Sequence, residues 1–160
     1  MKVKFMATTG IIAALYIAVT MLVAPFGFTE VQFRVSEMFN HLVAFNPRFA
    51  GGIILGVFIA NLFSPLGWYD LVFGVTHSIV TIGLFLLICK FVKNIIARLV
   101  INTLLFTFTM FIIAFELNLA LELPFFWTWL TVAAGEFVVL AVGAPIMYTL
   151  NKRLDFKKLL

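Results

Sequence analysis

The residues of this chain that could do chemistry are few, and most interrupt long apolar runs: Arg34, Glu37, Asn40 and His41, then Asn61, His77, Glu116 and Glu136. Their types suit binding better than catalysis. A carboxylate accepts paired N–H donors and attracts cations, and an amide offers both a donor and an acceptor. No catalytic set accompanies them. There is no nucleotide-binding glycine loop and no HExxH, and Ser36, Ser64 and Ser78 stand in no GxSxG. His41 and His77 project to opposite membrane halves, so no shared metal site is expected. The single cysteine, Cys89, allows neither an internal disulfide nor a cysteine metal cluster. The chain itself is expected to carry no cofactor and not to be an enzyme.

The elements that hold these residues must lie in lipid. Of 160 residues, 64% are hydrophobic and 11% are charged, against about 25% charged in an ordinary soluble domain. Mean hydropathy is +1.16. A soluble domain must cover its surface with polar groups, and this chain has too few. A cytosolic enzyme and a disordered segment are both excluded. At about 20 residues per spanning helix, the length suits six spans with short loops, read as one membrane domain over residues 1–160 with no room for an ATPase domain. A cleaved signal peptide is not expected, because no polar mature sequence follows the first apolar run.

Six segments follow. They run from about Phe5 to Ala24, Val31 to Phe45, Phe49 to Phe63, Asp70 to Phe91, Ile95 to Leu121 and Phe125 to Leu150. The second is short and mixed, a poor span alone. Pro47 ends it, Ser64-Pro65-Leu66-Gly67 marks a turn after the third, and Pro124 separates the fifth from the sixth. The expected fold is an all-α integral membrane bundle of six transmembrane helices. Its orientation follows from the basic residues. Lys2, Lys4, Arg48, Lys90, Lys93, Arg98, Lys152, Arg153, Lys157 and Lys158 fall at one side of a six-span arrangement. The positive-inside rule makes that side, with both termini, cytoplasmic.

Projected onto this orientation at about 1.5 Å per residue, Arg34, Glu37, Asn61, His77 and Glu116 lie in the outer half and Glu136 near mid-membrane. The inner half holds chiefly His41 and Asn102. This asymmetry describes a pocket open to the outside and closed below. Each residue also has a plain structural reading. Arg34 and Glu37, three apart, could pair with each other. His77 could bond a neighbouring helix, and Asn61 could cap a helix end. Glu116 and Glu122 could be interface residues. Trp127, Trp129, Trp68 and Tyr69 suit an interfacial aromatic belt, with one of them, Trp127 above all, placed to stack on a flat ligand. Glu136 is the exception. A lone carboxylate in Ala133-Ala134-Gly135-Glu136-Phe137-Val138 needs a cation or a task. On segment one, Gly10, Ala14 and Ala18 form a small-residue stripe. Such stripes let helices approach closely in lipid, either inside this bundle or against another membrane subunit.

The run Phe28-Thr29-Glu30-Val31-Gln32-Phe33-Arg34-Val35-Ser36-Glu37-Met38, then Phe45-Asn46-Pro47, then Leu55-Gly56-Val57-Phe58-Ile59-Ala60-Asn61-Leu62-Phe63-Ser64-Pro65-Leu66-Gly67 resembles the QueT family. These are substrate-binding S components of energy-coupling factor (ECF) transporters, assigned to queuosine precursors. The likeness covers the whole chain in length and span count and is sharpest from Gln32 to Gly67. It implies a six-helix bundle of the prokaryotic plasma membrane with a pocket near the outer face, beneath the loop from about Pro25 to Gln32. It implies docking of the Gly10, Ala14 and Ala18 stripe to a transmembrane coupling subunit. Two cytoplasmic ATPases would use ATP on its behalf. It also implies that the S component topples in the membrane. A flat 7-deazaguanine presents adjacent N–H and NH₂ donors that a carboxylate can accept together, and an aminomethyl group would want a second carboxylate. Glu37, Asn40, Asn61, His77, Glu116, Glu136 and Trp127 are the expected substrate-binding residues. Pyridoxine or hydroxymethylpyrimidine remain open as substrates, as does a small intramembrane enzyme or an ion-coupled carrier using Glu136. The expected partners are lipid, the small ligand and the ECF subunits, not nucleic acid.

Overall fold

The structure is a computed structural model that describes residues 2–24 and 32–159. Among these residues every regular element is helical. Helix α1 runs over Lys2–Leu22. A 3₁₀ helix over Val35–His41 follows, continued by one α turn, α2, over Leu42–Phe45. A second 3₁₀ turn at Pro47–Phe49 leads into α3, Ala50–Asn61. Then come α4 (Trp68–Cys89), α5 (Ile95–Thr109), α6 (Phe111–Leu121) and α7 (Phe125–Leu154).

Four stretches are long and apolar enough to cross a bilayer: Val3–Leu22, Trp68–Cys89, Ile95–Leu121 and Phe125–Leu154. The chain is therefore a multi-pass membrane protein. The loop expected to cover the pocket, Pro25 to Gln32, lies outside the described residues except for Gln32.

The second segment departs from expectation. Its described residues, 32–45, do not form one α-helix. Arg34 is extended, and the chain then winds as a 3₁₀ helix. A 3₁₀ helix rises about 2.0 Å per residue against about 1.5 Å for an α-helix, so a short segment reaches deeper into the bundle. It also eclipses side chains three apart, which sets Asn40 directly over Glu37. Ser36, Glu37, Asn40 and His41 are all buried. Segment five also differs. It breaks at Met110, between α5 and α6. Thr109 Oγ1 donates back to the carbonyls of Leu105 (2.9 Å) and Phe106 (3.1 Å), a bonding pattern that bends helices.

Small residues set the packing. A Cβ added at Gly56 of α3 would lie 2.7 Å from Tyr16 Cβ of α1, and one at Gly52 3.0 Å from Ile12 Cβ. The Gly52/Gly56 face therefore lets α1 and α3 meet backbone to backbone. At Gly143 of α7 a Cβ would stand 2.7 Å from Met38 Cβ, so this glycine admits the 3₁₀ segment. Gly10, Ala14 and Ala18 of α1 are exposed on the other side of that helix. Among the described residues that stripe faces away from the α1–α3 contact.

The two ends of the bundle differ. At one end Thr8 Oγ1 donates to Leu159 O at 3.3 Å. Phe156 stacks edge-on against Phe45 and Phe49, at centroid distances of 5.4 and 6.0 Å. Arg98 donates to the carbonyls of Cys89, Val92 and Ala44 there. The start of α1, the α2–α3 corner, the α4–α5 turn and the chain end thus share one pole, and the basic residues of those segments share it too. The other pole carries the turn before α4, the stacked Trp68–Tyr69 pair (4.1 Å) and the α6–α7 turn.

Candidate functional site

Among the described residues a set of buried polar side chains is built around Arg34. Its Nη2 meets Asp70 Oδ1 at 2.7 Å, its Nη1 donates to Asn61 Oδ1 at 2.8 Å, and its Nε donates to Gln32 Oε1 at 2.9 Å. Asp70 sits in the first turn of α4, where the helix dipole favours a carboxylate. Ser64 Oγ also donates to that carboxylate, and Asn61 Nδ2 donates to the Asp70 carbonyl at 2.8 Å. A side chain at Gly74, one turn further on, would collide with the Asn61 amide. Arg34 does not pair with Glu37, as their spacing allowed, because its extended backbone turns it toward α3 and α4. Asn61 is not a simple helix cap. It holds the arginine and α4 together.

Glu37 is held separately. It accepts from Tyr16 Oη of α1 and from Asn40 Nδ2, one 3₁₀ turn along the chain. Thr20 and Ser36 hydroxyls meet at 2.6 Å just above, a second polar tie between α1 and the 3₁₀ helix. His77 Nε2 lies 3.0 Å from Thr109 Oγ1, and Thr81 Oγ1 lies 2.8 Å from the same hydroxyl. The His77 ring stands edge-on to Phe106. Glu116 is 0% exposed and lies within electrostatic reach of Asp70 and Arg34. Glu136 is 1% exposed and its Oε1 is unpartnered among the described residues. Its field acts on Glu37 and Arg34.

Gln32, Arg34, Glu37, Gly74, His77, Met110, Ile113 and Glu136 line one cavity, with a void of about 20 Å³. That is room for a single water, so a heterocycle could enter only if these walls moved apart. Four carboxylates (Glu37, Asp70, Glu116 and Glu136) surround one guanidinium, so the site favours an added cation or a donor-rich ligand.

The structure thus brings Glu37, His77 and Glu136 to one cavity, with Asn40 and Asn61 as supports and Glu116 close by. It does not bring Trp127, which is 66% exposed on α7. His41 lies deeper, its Nε2 2.9 Å from Leu140 O and its Nδ1 unpartnered among the described residues. Tyr16, Gln32, Asp70 and Thr109 were not legible as site residues. Tyr16 carries the one clear signal, a phenol amid the apolar residues of α1 on the side away from the small-residue stripe.

The family model described as QueT transporter matches residues 6–152. A relative from Lactococcus lactis subsp. cremoris (strain MG1363), the queuosine precursor transporter QueT, is 35% identical over 166 residues, covering 98% of each chain. No solved structure matches the chain.

Proposed function

The chain belongs to the QueT transporter family, and from that premise we propose that it is the substrate-binding membrane subunit of an ECF-type importer. It captures a queuosine precursor of the 7-deazaguanine type from outside for ATP-driven uptake. The carrying observation is the cavity where, among the described residues, the carboxylates Glu37 and Glu136 outnumber the Arg34 guanidinium. Such a site suits a flat base with adjacent N–H donors, and an aminomethyl cation would be welcome. Glu136, Glu37 and His77 face the ligand. Asn40 and Asn61 hold the walls, and Glu116 adds negative field.

Six crossings account for the element order: four long helices, the 3₁₀–α2 segment, and the short Pro47–Asn61 stretch. The gathering of basic segments at the pole where the termini meet supports a cytoplasmic assignment for both. The polar cavity then opens outward. The exposed Gly10, Ala14 and Ala18 stripe is the docking face for a transmembrane coupling subunit, through which two cytoplasmic ATPases supply energy.

Uptake of a labelled 7-deazaguanine precursor tests this reading. Cells unable to make the precursor should accumulate it only when this chain and the coupling module with its ATPases are both present. Uptake by this chain alone would identify a stand-alone carrier and overturn the proposal.

A further inference from the structure

The polar groups around the cavity mostly satisfy one another, and the exceptions define what the cavity lacks. Among the described residues that line it, two buried polar atoms have no partner, Gln32 Nε2 and Glu136 Oε1. Gln32 is 2% exposed and Glu136 1%. The two faces of the Gln32 amide are distinguishable. A guanidinium only donates, so the atom 2.9 Å from Arg34 Nε is the carbonyl oxygen, and the NH₂ group is the free one. Arg34 is in turn fixed by Asp70 and Asn61. Gln32 also sits at φ 51, a left-handed conformation. A side chain pinned at its oxygen on such a backbone leaves its NH₂ for the cavity.

A free amide donor and a free carboxylate acceptor on one cavity are the complement of an edge that carries a carbonyl next to N–H groups. We infer that Gln32 is a specificity-determining residue: its Nε2 donates to the ring carbonyl of the base while Glu136 accepts from the adjoining N–H and amino donors. The pair then selects a 2-amino-6-oxo ring over a 6-amino ring. Arg34 acts through Gln32 as a positioning residue. This assignment rests on the binding reading above. An unmatched edge is costly because it buries two acceptors or two donors face to face with no water to relieve them.

Calorimetry on the purified full-length protein tests it with two probes, 7-deazaguanine and 2,6-diamino-7-deazapurine. The second replaces the carbonyl by an amine and turns the ring N–H into an acceptor. The wild type should prefer 7-deazaguanine by on the order of 100-fold. Gln32→Glu, which keeps the acceptor for Arg34 but removes the donor, should reduce that ratio to within about tenfold. Gln32→Leu should do the same, and it carries the test if the glutamate variant melts far below the wild type. A merely structural role would weaken both bases alike and leave the ratio unchanged, which overturns the assignment. Equal wild-type affinities overturn it too. A wild type that binds neither base refutes the binding reading itself, and the assignment falls with it.

Discussion

A carboxylate inside a bundle that sits in lipid needs a compensating partner, and the acidic residues here differ in how they find one. Asp70 is fully compensated by Arg34 and Ser64, and Glu37 by Tyr16 and Asn40. Glu136 is not, since its Oε1 is unpartnered among the described residues. Two substitutions separate these roles. Glu136→Gln should fold and melt like the wild type yet bind ligand about 10- to 100-fold more weakly, the worth of a charge-assisted hydrogen bond; unchanged affinity by calorimetry would make Glu136 structural. Asp70→Asn removes one member of a buried ion pair and should cost about 3–5 kcal/mol of stability, read as a lower melting temperature. A neutral outcome would show that the remaining carboxylates suffice for Arg34. Glu136 stands out in the sequence because its surroundings are apolar. Asp70 does not, because its partner lies thirty-six positions away at Arg34 and is reached only through the fold.

Between elements, close approach decides the architecture. Gly56 is covered by Tyr16 of α1, whereas Gly83 of α4 has nothing near its missing Cβ. Gly56→Ala should therefore destabilise by about 1–3 kcal/mol, while Gly83→Ala should be neutral or stabilise by up to about 1 kcal/mol. Thermal melts of the pair check the α1–α3 contact, and equal effects would contradict it. Because Tyr16 belongs to that contact, the glycine variant should also weaken ligand binding through Glu37. Ala14→Trp lies on the exposed stripe instead. It should leave folding and ligand binding intact and block co-purification with the coupling subunit. The long helices were legible in the sequence because apolar runs of twenty residues have one reading in lipid. The 3₁₀ segment was not. Hydropathy periodicity registers burial, and it cannot separate a 3.0-residue turn from a 3.6-residue one over seven residues. The Met110 break was hidden because Thr109 acts through back-bonding that leaves no mark on hydropathy.

For the whole molecule, the proposed orientation rests on charge at the ends. In cells carrying Cys89→Ser, a membrane-impermeant maleimide should label Trp68→Cys from outside and leave Lys93→Cys unlabelled until the membrane is opened. The reverse pattern, or labelling of both, would contradict termini on the cytoplasmic side. The basic pole was legible residue by residue, because connections and lysines alternate with the spans. The cavity was legible only as an outer concentration of polar residues. Which atoms it leaves unpaired depends on contacts between segments far apart in the chain. The central claim is that this cavity binds a deazaguanine. The most direct test is a thermal-shift series on the purified protein with 7-deazaguanine precursors, queuine, guanine, pyridoxine, hydroxymethylpyrimidine, thiamine and riboflavin, since a ligand that binds only the folded state raises its stability by mass action. The deazaguanines should raise the melting temperature and the other vitamins should not. A shift with another vitamin and none with any deazaguanine would contradict the account.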